Sequence, residues 1–144
     1  MYKKILVPLD GSPLAEAVLP HAQALARSEG AQIVLLRVAV TPARYLFAHN
    51  PAGGDNIIHM IEKEAKDYMK AEVSKLQDEG VRVTGMTREG VVSEEILEAA
   101  DETHADVIAM STHGYLGVKR WLLGSVADRV VHHSHIPVIL IHPN

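Results

Sequence analysis

Short apolar runs alternate with segments of helical character along the whole chain, and this alternation decides which folds are open to it. The runs are Lys4–Leu9, Gln32–Val38, Val81–Thr87, Asp106–Ser111 and Pro137–His142. All but the third are near-continuous in Ile, Val, Leu, Ala or Met, the pattern of strands covered on both faces. The third alternates Val81 and Val83 with Arg82 and Thr84. It reads as a strand half open to solvent at a sheet edge.

The intervening segments carry helix signals. Ser12 to Ser28 opens with an N-cap serine and Pro13 at the first helical position. Its apolar residues Leu14, Val18, Ala22 and Leu25 recur at a spacing of three and four, and Glu29-Gly30 supplies a glycine stop. Ile57 to Glu79 is a longer amphipathic helix ending at Gly80. Ser93 opens a third helix, with Glu94 and Glu95 in the first turn, where the helix dipole favours anions. Ser125 opens a fourth, with Asp128 three residues on in a capping-box pattern. Strand and helix in strict turn imply a parallel sheet with right-handed crossovers and helices on both faces. Thr41 to Asp55 holds Pro42, Pro51, Gly53 and Gly54 and reads as one long irregular connection, the kind that often forms a lid.

Composition narrows the function. The chain has 144 residues, so residues 1–144 are expected to form one domain. It has no cysteine, which excludes a disulfide scaffold, a thiolate metal site and a cysteine nucleophile. A net charge of −4 argues against a nucleic-acid binder. No apolar stretch approaches a membrane span, and Ile5–Val7 is too short for the core of a signal peptide. A cytoplasmic protein is expected. The histidines are scattered, and His132, His133 and His135 read as surface residues at the end of the last helix rather than as metal ligands.

In open parallel sheets ligands bind beyond the carboxyl ends of the strands, where strand order reverses. The segments to inspect are therefore Pro8-Leu9-Asp10-Gly11-Ser12, Val38-Ala39-Val40 and Met110-Ser111-Thr112-His113-Gly114. The last leads through Lys119, Arg120 and Trp121 to Gly124-Ser125-Val126. Glycines let backbone amides approach an anion, and the helix beginning near Ser125 offers free amides and a positive dipole end. From Val107 to Ala127 there is no Asp or Glu. An acid-free, glycine-punctuated loop entering a helix is suited to a few phosphates. It is not a Walker A loop, because no lysine precedes Ser125.

Bland roles stand beside these. Asp10 also suits a turn cap, Ser125 a plain N-cap, and Val38 a core position. His113 suits a loop histidine, Lys119 and Arg120 solvated cations, and Trp121 packing.

The chain resembles the ATP-binding subgroup of the universal stress protein family. That family's pattern is a glycine, two residues, a glycine, nine residues, then Gly-Ser or Gly-Thr. Here Ser111, Gly114, Gly124 and Ser125 hold those positions, with serine in place of the first glycine. The opening Ile5-Leu6-Val7-Pro8-Leu9-Asp10-Gly11-Ser12 and the segment Leu123-Gly124-Ser125-Val126-Ala127 also match, so the likeness spans the chain.

The resemblance implies a Rossmann- or flavodoxin-like three-layer α/β fold with sheet order 3-2-1-4-5. It also implies a homodimer paired through the last strands, here Val138, Ile139, Leu140 and Ile141, and ATP with Mg²⁺ as ligand. By similarity Pro8, Leu9, Asp10 and Val38 would hold the adenine and ribose end, and Met110 and Ser111 the ribose side. His113, Gly114, Gly124, Ser125 and Val126 would hold the phosphates. The function expected is a nucleotide-dependent regulatory module in stress response, with little or slow hydrolysis. A weak ATPase using Asp10, or an adaptor that binds protein and no nucleotide, are the alternatives.

Overall fold

A computed structural model describes residues 1–40, 51–112 and 124–143. The strands are β1 (Lys4–Leu9), β2 (Gln32–Ala39), β3 (Val83–Glu89), β4 (Val107–Ser111) and β5 (Val138–Ile141). The helices are α1 (Pro13–Glu16), α2 (Leu19–Glu29), α3 (Pro51–Asp78), α4 (Val92–Thr103) and α5 (Ser125–His133). All strand pairs are parallel, in the order β3-β2-β1-β4-β5. This is the expected open sheet in the expected order.

Side-chain alternation along each strand builds two dry layers. Ile5, Val7, Ile33 and Leu35 face α2 and α3, where Ala22, Ala26, Met69 and Leu76 complete one core. Leu6, Val34, Leu36 and Ile108 face α4 and α5, meeting Ile96, Ala99, Ala127 and Val130. β1, β2 and β4 are buried over most of their length, while β3 carries the exposed positions that its alternating pattern predicts. β5 departs from expectation. Its apolar run suggests full cover, yet every residue is only half-buried, because it closes the sheet on the far edge.

Several helix boundaries move for local reasons. Ser12 caps α1 as expected, its Oγ accepting from the Ala15 amide at 3.1 Å. The helix predicted from Ser12 to Ser28 is instead broken after Glu16. Pro20 has no N–H to give the Glu16 carbonyl, and tightened bonds from Ala17 to Leu14 and from Val18 to Ala15, both 3.4 Å, close the first piece. Gly30 ends α2 at φ 66°, the left-handed stop expected of it.

α3 begins at Pro51, so residues 51–55 are helical and not part of an irregular connection. Proline is tolerated in a first helical turn, and the apolar stripe that marks the helix in sequence only begins at Ile57. Thr41–Asn50 lie outside the described residues.

α4 starts one residue before Ser93, which is buried, and Val91 at its N-cap makes no side-chain cap. At α5 the N-cap is Gly124 and not Ser125. Gly124 is already extended (φ −61°, ψ 153°), and its carbonyl accepts the first helical bond, from the Asp128 amide at 2.9 Å.

The exposed face of β3 is tied down by Arg88. Its guanidinium reaches Glu95 at 2.7 Å, Glu98 at 3.0 Å and Glu102 at 2.6 Å, all on α4. These bonds push Arg88 further above its already high pKa, with the Glu95 bond the largest cause. Single exposed pairs contribute little, but one planar donor shared among three carboxylates is a network. Replacing Arg88 with alanine is expected to lower stability by about 1 kcal/mol, with the loss shrinking in high salt. Urea melts at two ionic strengths measure it.

Candidate functional site

The chain leaves β1 toward β2 on one side and re-enters beside β1 at β4 on the other. The connections diverge there, and a cavity of about 710 Å³ opens at the carboxyl ends of β1, β2 and β4. Pro8, Leu9 and Asp10 form its β1 side, Val38 and Val40 its β2 side, and Met110, Ser111 and Thr112 its β4 side. Val126 and Ala127 bring in the first turn of α5, and Val92 and Ile96 the start of α4.

Of the residues expected at a ligand site, Pro8, Leu9, Asp10, Val38, Met110, Ser111 and Val126 therefore line one cavity. Gly124 and Ser125 precede Val126 at the start of α5 without contributing to the wall. His113 and Gly114 lie outside the described residues, as do Lys119, Arg120 and Trp121.

Local bonds settle what the polar rim groups do. Asp10 Oδ1 accepts from the Ser12 amide at 2.8 Å, so the carboxylate shapes the turn in which it sits. The bland reading of Asp10 is thus correct and does not compete with a ligand role, because a carboxylate has further acceptor sites. Ser111 Oγ donates to the Ala15 carbonyl at 3.2 Å, so the hydroxyl that replaces the family glycine is turned onto α1. Thr112 is buried, with its Oγ1 3.1 Å from His142 Nδ1. Gly124 has no side chain to cap α5, and no side-chain cap is made. The first amides of α5 receive no side-chain bond from their N-cap residue and carry the donor character of a helix start.

One wall escapes the sequence reading altogether. Ile57, Met60, Ile61 and Glu64 of α3 close the cavity opposite the strands, and Arg37 of β2 lies between. Periodicity shows that α3 is amphipathic but not which of its turns overhang the sheet. The signal for Arg37 was present: it is the only charged residue in β2.

Arg37 belongs to a polar group shared by β2, α3 and α1. Its Nη2 lies 2.8 Å from Glu64 Oε2, and its guanidinium carbon is 5.1 Å from the centre of the Tyr68 ring. The Tyr68 hydroxyl donates to Glu16 Oε2 at 2.6 Å. Burial, then the Glu16 carboxylate, holds the Tyr68 phenol far above its ordinary range, so it stays a donor. Glu72 stands nearby on α3 with its Oε2 buried and without a hydrogen-bond partner among the described residues.

An open five-stranded parallel sheet with a cavity at its switch point defines the doubly wound α/β class. Within that class, residues 1–142 match the model of the universal stress protein family, and the chain belongs to that family. It is 37% identical to universal stress protein MJ0531 of Methanocaldococcus jannaschii, over 98% of this chain and 82% of the relative. The solved structure of MJ0577, from the same organism, superposes with a TM-score of 0.84 at 32% identity, covering 100% of this chain and 98% of that one. The universal stress protein of Archaeoglobus fulgidus, solved in complex with dAMP, superposes with a TM-score of 0.68 at 26% identity, covering 97% and 98%. Among the described residues no helix is long and apolar enough to cross a membrane.

Glu72 yields a prediction about pH. Burial is the main reason its pKa stands above the ordinary 4.5; Lys75 pulls it down, while Glu16 and Glu79 add to the rise. A carboxyl whose folded pKa is raised binds its proton more tightly in the native state. It therefore supports the fold at low pH and loses that support as pH rises through the folded value. Glu72→Gln is expected to raise the melting temperature at pH 7, and the gain should vanish as pH falls below 4.5. Thermal melts from pH 4 to pH 8 test the sign.

Proposed function

We infer that the chain binds an adenine nucleotide, ATP with Mg²⁺, in the cavity at the carboxyl ends of β1, β2 and β4, and acts as a dimeric regulatory module in stress response. The observation that carries this reading is the cavity's construction. One side is apolar, from Leu9, Val38, Met110 and the Ile57–Ile61 face of α3, and suits a flat base. The other runs toward the start of α5, where amides and the helix dipole suit phosphate. The dAMP complex of the Archaeoglobus relative supports an adenine nucleotide as the ligand class.

Pro8, Leu9, Asp10 and Val38 then take the adenine and ribose end, with Met110 and Ser111 on the ribose side. The Ser111 hydroxyl is held onto the Ala15 carbonyl, which supports a sugar passing over this family-glycine position. His113, Gly114, Gly124, Ser125 and Val126 take the phosphates, with Mg²⁺ as the counter-ion that ATP brings. No lysine precedes Ser125 to stabilise a leaving phosphate, so hydrolysis is slow. An ATPase would need Asp10 as its water-holding group, and would stall in Asp10→Asn while still binding.

The test is titration calorimetry with AMP, ADP and ATP, with and without Mg²⁺. Gly124→Val is the informative variant, because the backbone there is one that any residue adopts. A Cβ and two methyls would then stand beside the first amides of α5, and a thermal melt of the variant checks that the fold is kept. Affinity for ATP is expected to fall at least tenfold, with AMP less affected. Equal ATP affinity in both proteins removes the phosphate assignment.

Dimerisation belongs to the same reading. β5 leaves the half-buried Val138–Ile141 at a sheet edge, and apolar edges call for cover. Light scattering on the eluting protein should give twice the chain mass of 15.7 kDa. A single-chain mass at micromolar concentration rejects the dimer.

A further inference from the structure

We propose that Arg37 is a positioning residue for the nucleotide site: its guanidinium forms the floor under the Asp10–Gly11–Ser12 turn and sets where that turn stands. The proposal rests on the nucleotide reading above.

The placement begins with strand alternation. Arg37 follows Ile33 and Leu35 on one face of β2, and both of those residues are fully buried in the layer under α2 and α3. A cation at the next position is costly unless it is held. The Arg37 side chain is only 14% exposed, and α3 holds it from two directions, by Glu64 at its edge and Tyr68 across its plane. Tyr68 in turn is bonded to Glu16 on α1. The guanidinium has therefore little freedom to swing away.

Of its other nitrogens, Nη1 is buried and has no hydrogen-bond partner among the described residues. It lies directly below Gly11: a Cβ placed on Gly11 would come within 2.9 Å of it. Gly11 has φ +88°, a conformation that side chains disfavour, and a side chain there would also have to displace the tip of Arg37. The turn above is shaped by the bond that Asp10 Oδ1 accepts from the Ser12 amide. A turn resting on a held planar group has its height over the sheet set by that group. Asp10 stands at the proposed adenine and ribose end, so the positioning role assigned to Arg37 is carried through Asp10.

The experiment replaces Arg37 with methionine, which fills the volume but has no plane and no charge, and with lysine, which keeps the charge without the fork. Two readouts separate positioning from bulk stability. The first needs no ligand: amide exchange at Ser12 should accelerate at least tenfold in Arg37→Met and less in Arg37→Lys, while amides of β1 and β4 keep their protection. Acceleration spread evenly over all three would make Arg37 a general stabiliser and overturn the proposal. The second is AMP affinity in a double-mutant cycle with Asp10→Asn, which retains an acceptor for the Ser12 amide. Arg37→Met should weaken AMP about tenfold, yet add little on top of Asp10→Asn; independent, multiplying losses overturn the proposal. Wild-type protein that binds no adenine nucleotide defeats the nucleotide reading itself. Wild-type binding with unchanged affinity in Arg37→Met and Arg37→Lys defeats this inference alone. If Arg37→Met fails to fold, the same two readouts are taken on Arg37→Lys.

Discussion

β1 is hydrogen-bonded on both sides, to β2 and to β4, and that double pairing organises the rest of the molecule. With both edges occupied by parallel neighbours, every connection must cross over a face. Right-handed crossovers then send α1, α2 and α3 to one side and α4 and α5 to the other. Where the chain stops adding strands on the left of β1 and begins adding them on the right, no connection covers the gap. The cavity is the space left by that reversal, and it has to open beside the turn that follows β1.

Much of the frame was legible because burial on two faces leaves a plain mark. Near-continuous apolar runs located β1, β2, β4 and β5 to within two residues, and the alternation at Val81–Thr84 put β3 at an edge. Ser12 and Gly30 were readable because each satisfies one local requirement, a hydroxyl acceptor and a positive φ. Features depending on distant partners were hidden. Pro20 breaks a helix whose apolar spacing runs straight through it. Ser125 looks like a cap, but its predecessor already has the extended backbone and makes the first bond. β5 is as apolar as β4 and differs only in having one neighbour.

At the cavity the division is similar. Residues at strand ends could be named because topology sends ligands there: Pro8, Leu9, Asp10, Val38, Met110, Ser111 and Val126 share the wall. The α3 side could not, since the helix approaches the site by packing over the sheet rather than by sequence neighbourhood. Arg37 and Arg88 make the contrast concrete. Both are arginines near the carboxyl ends of strands, paired with glutamates from a helix. Arg88 turns all three of its nitrogens to α4 and fastens an edge. Arg37 keeps Nη1 unpaired among the described residues, and that leftover donor is visible only once the fold is known.

Thr112 gives the two ends of this reading a common joint. It lines the cavity, yet its amide donates to the Ile141 carbonyl at 2.9 Å and its hydroxyl meets His142 just past β5. The outermost strand and the ligand wall therefore share one buried residue. A substitution at Thr112 would disturb the cavity wall and the edge strand together, so neither can be altered there without the other.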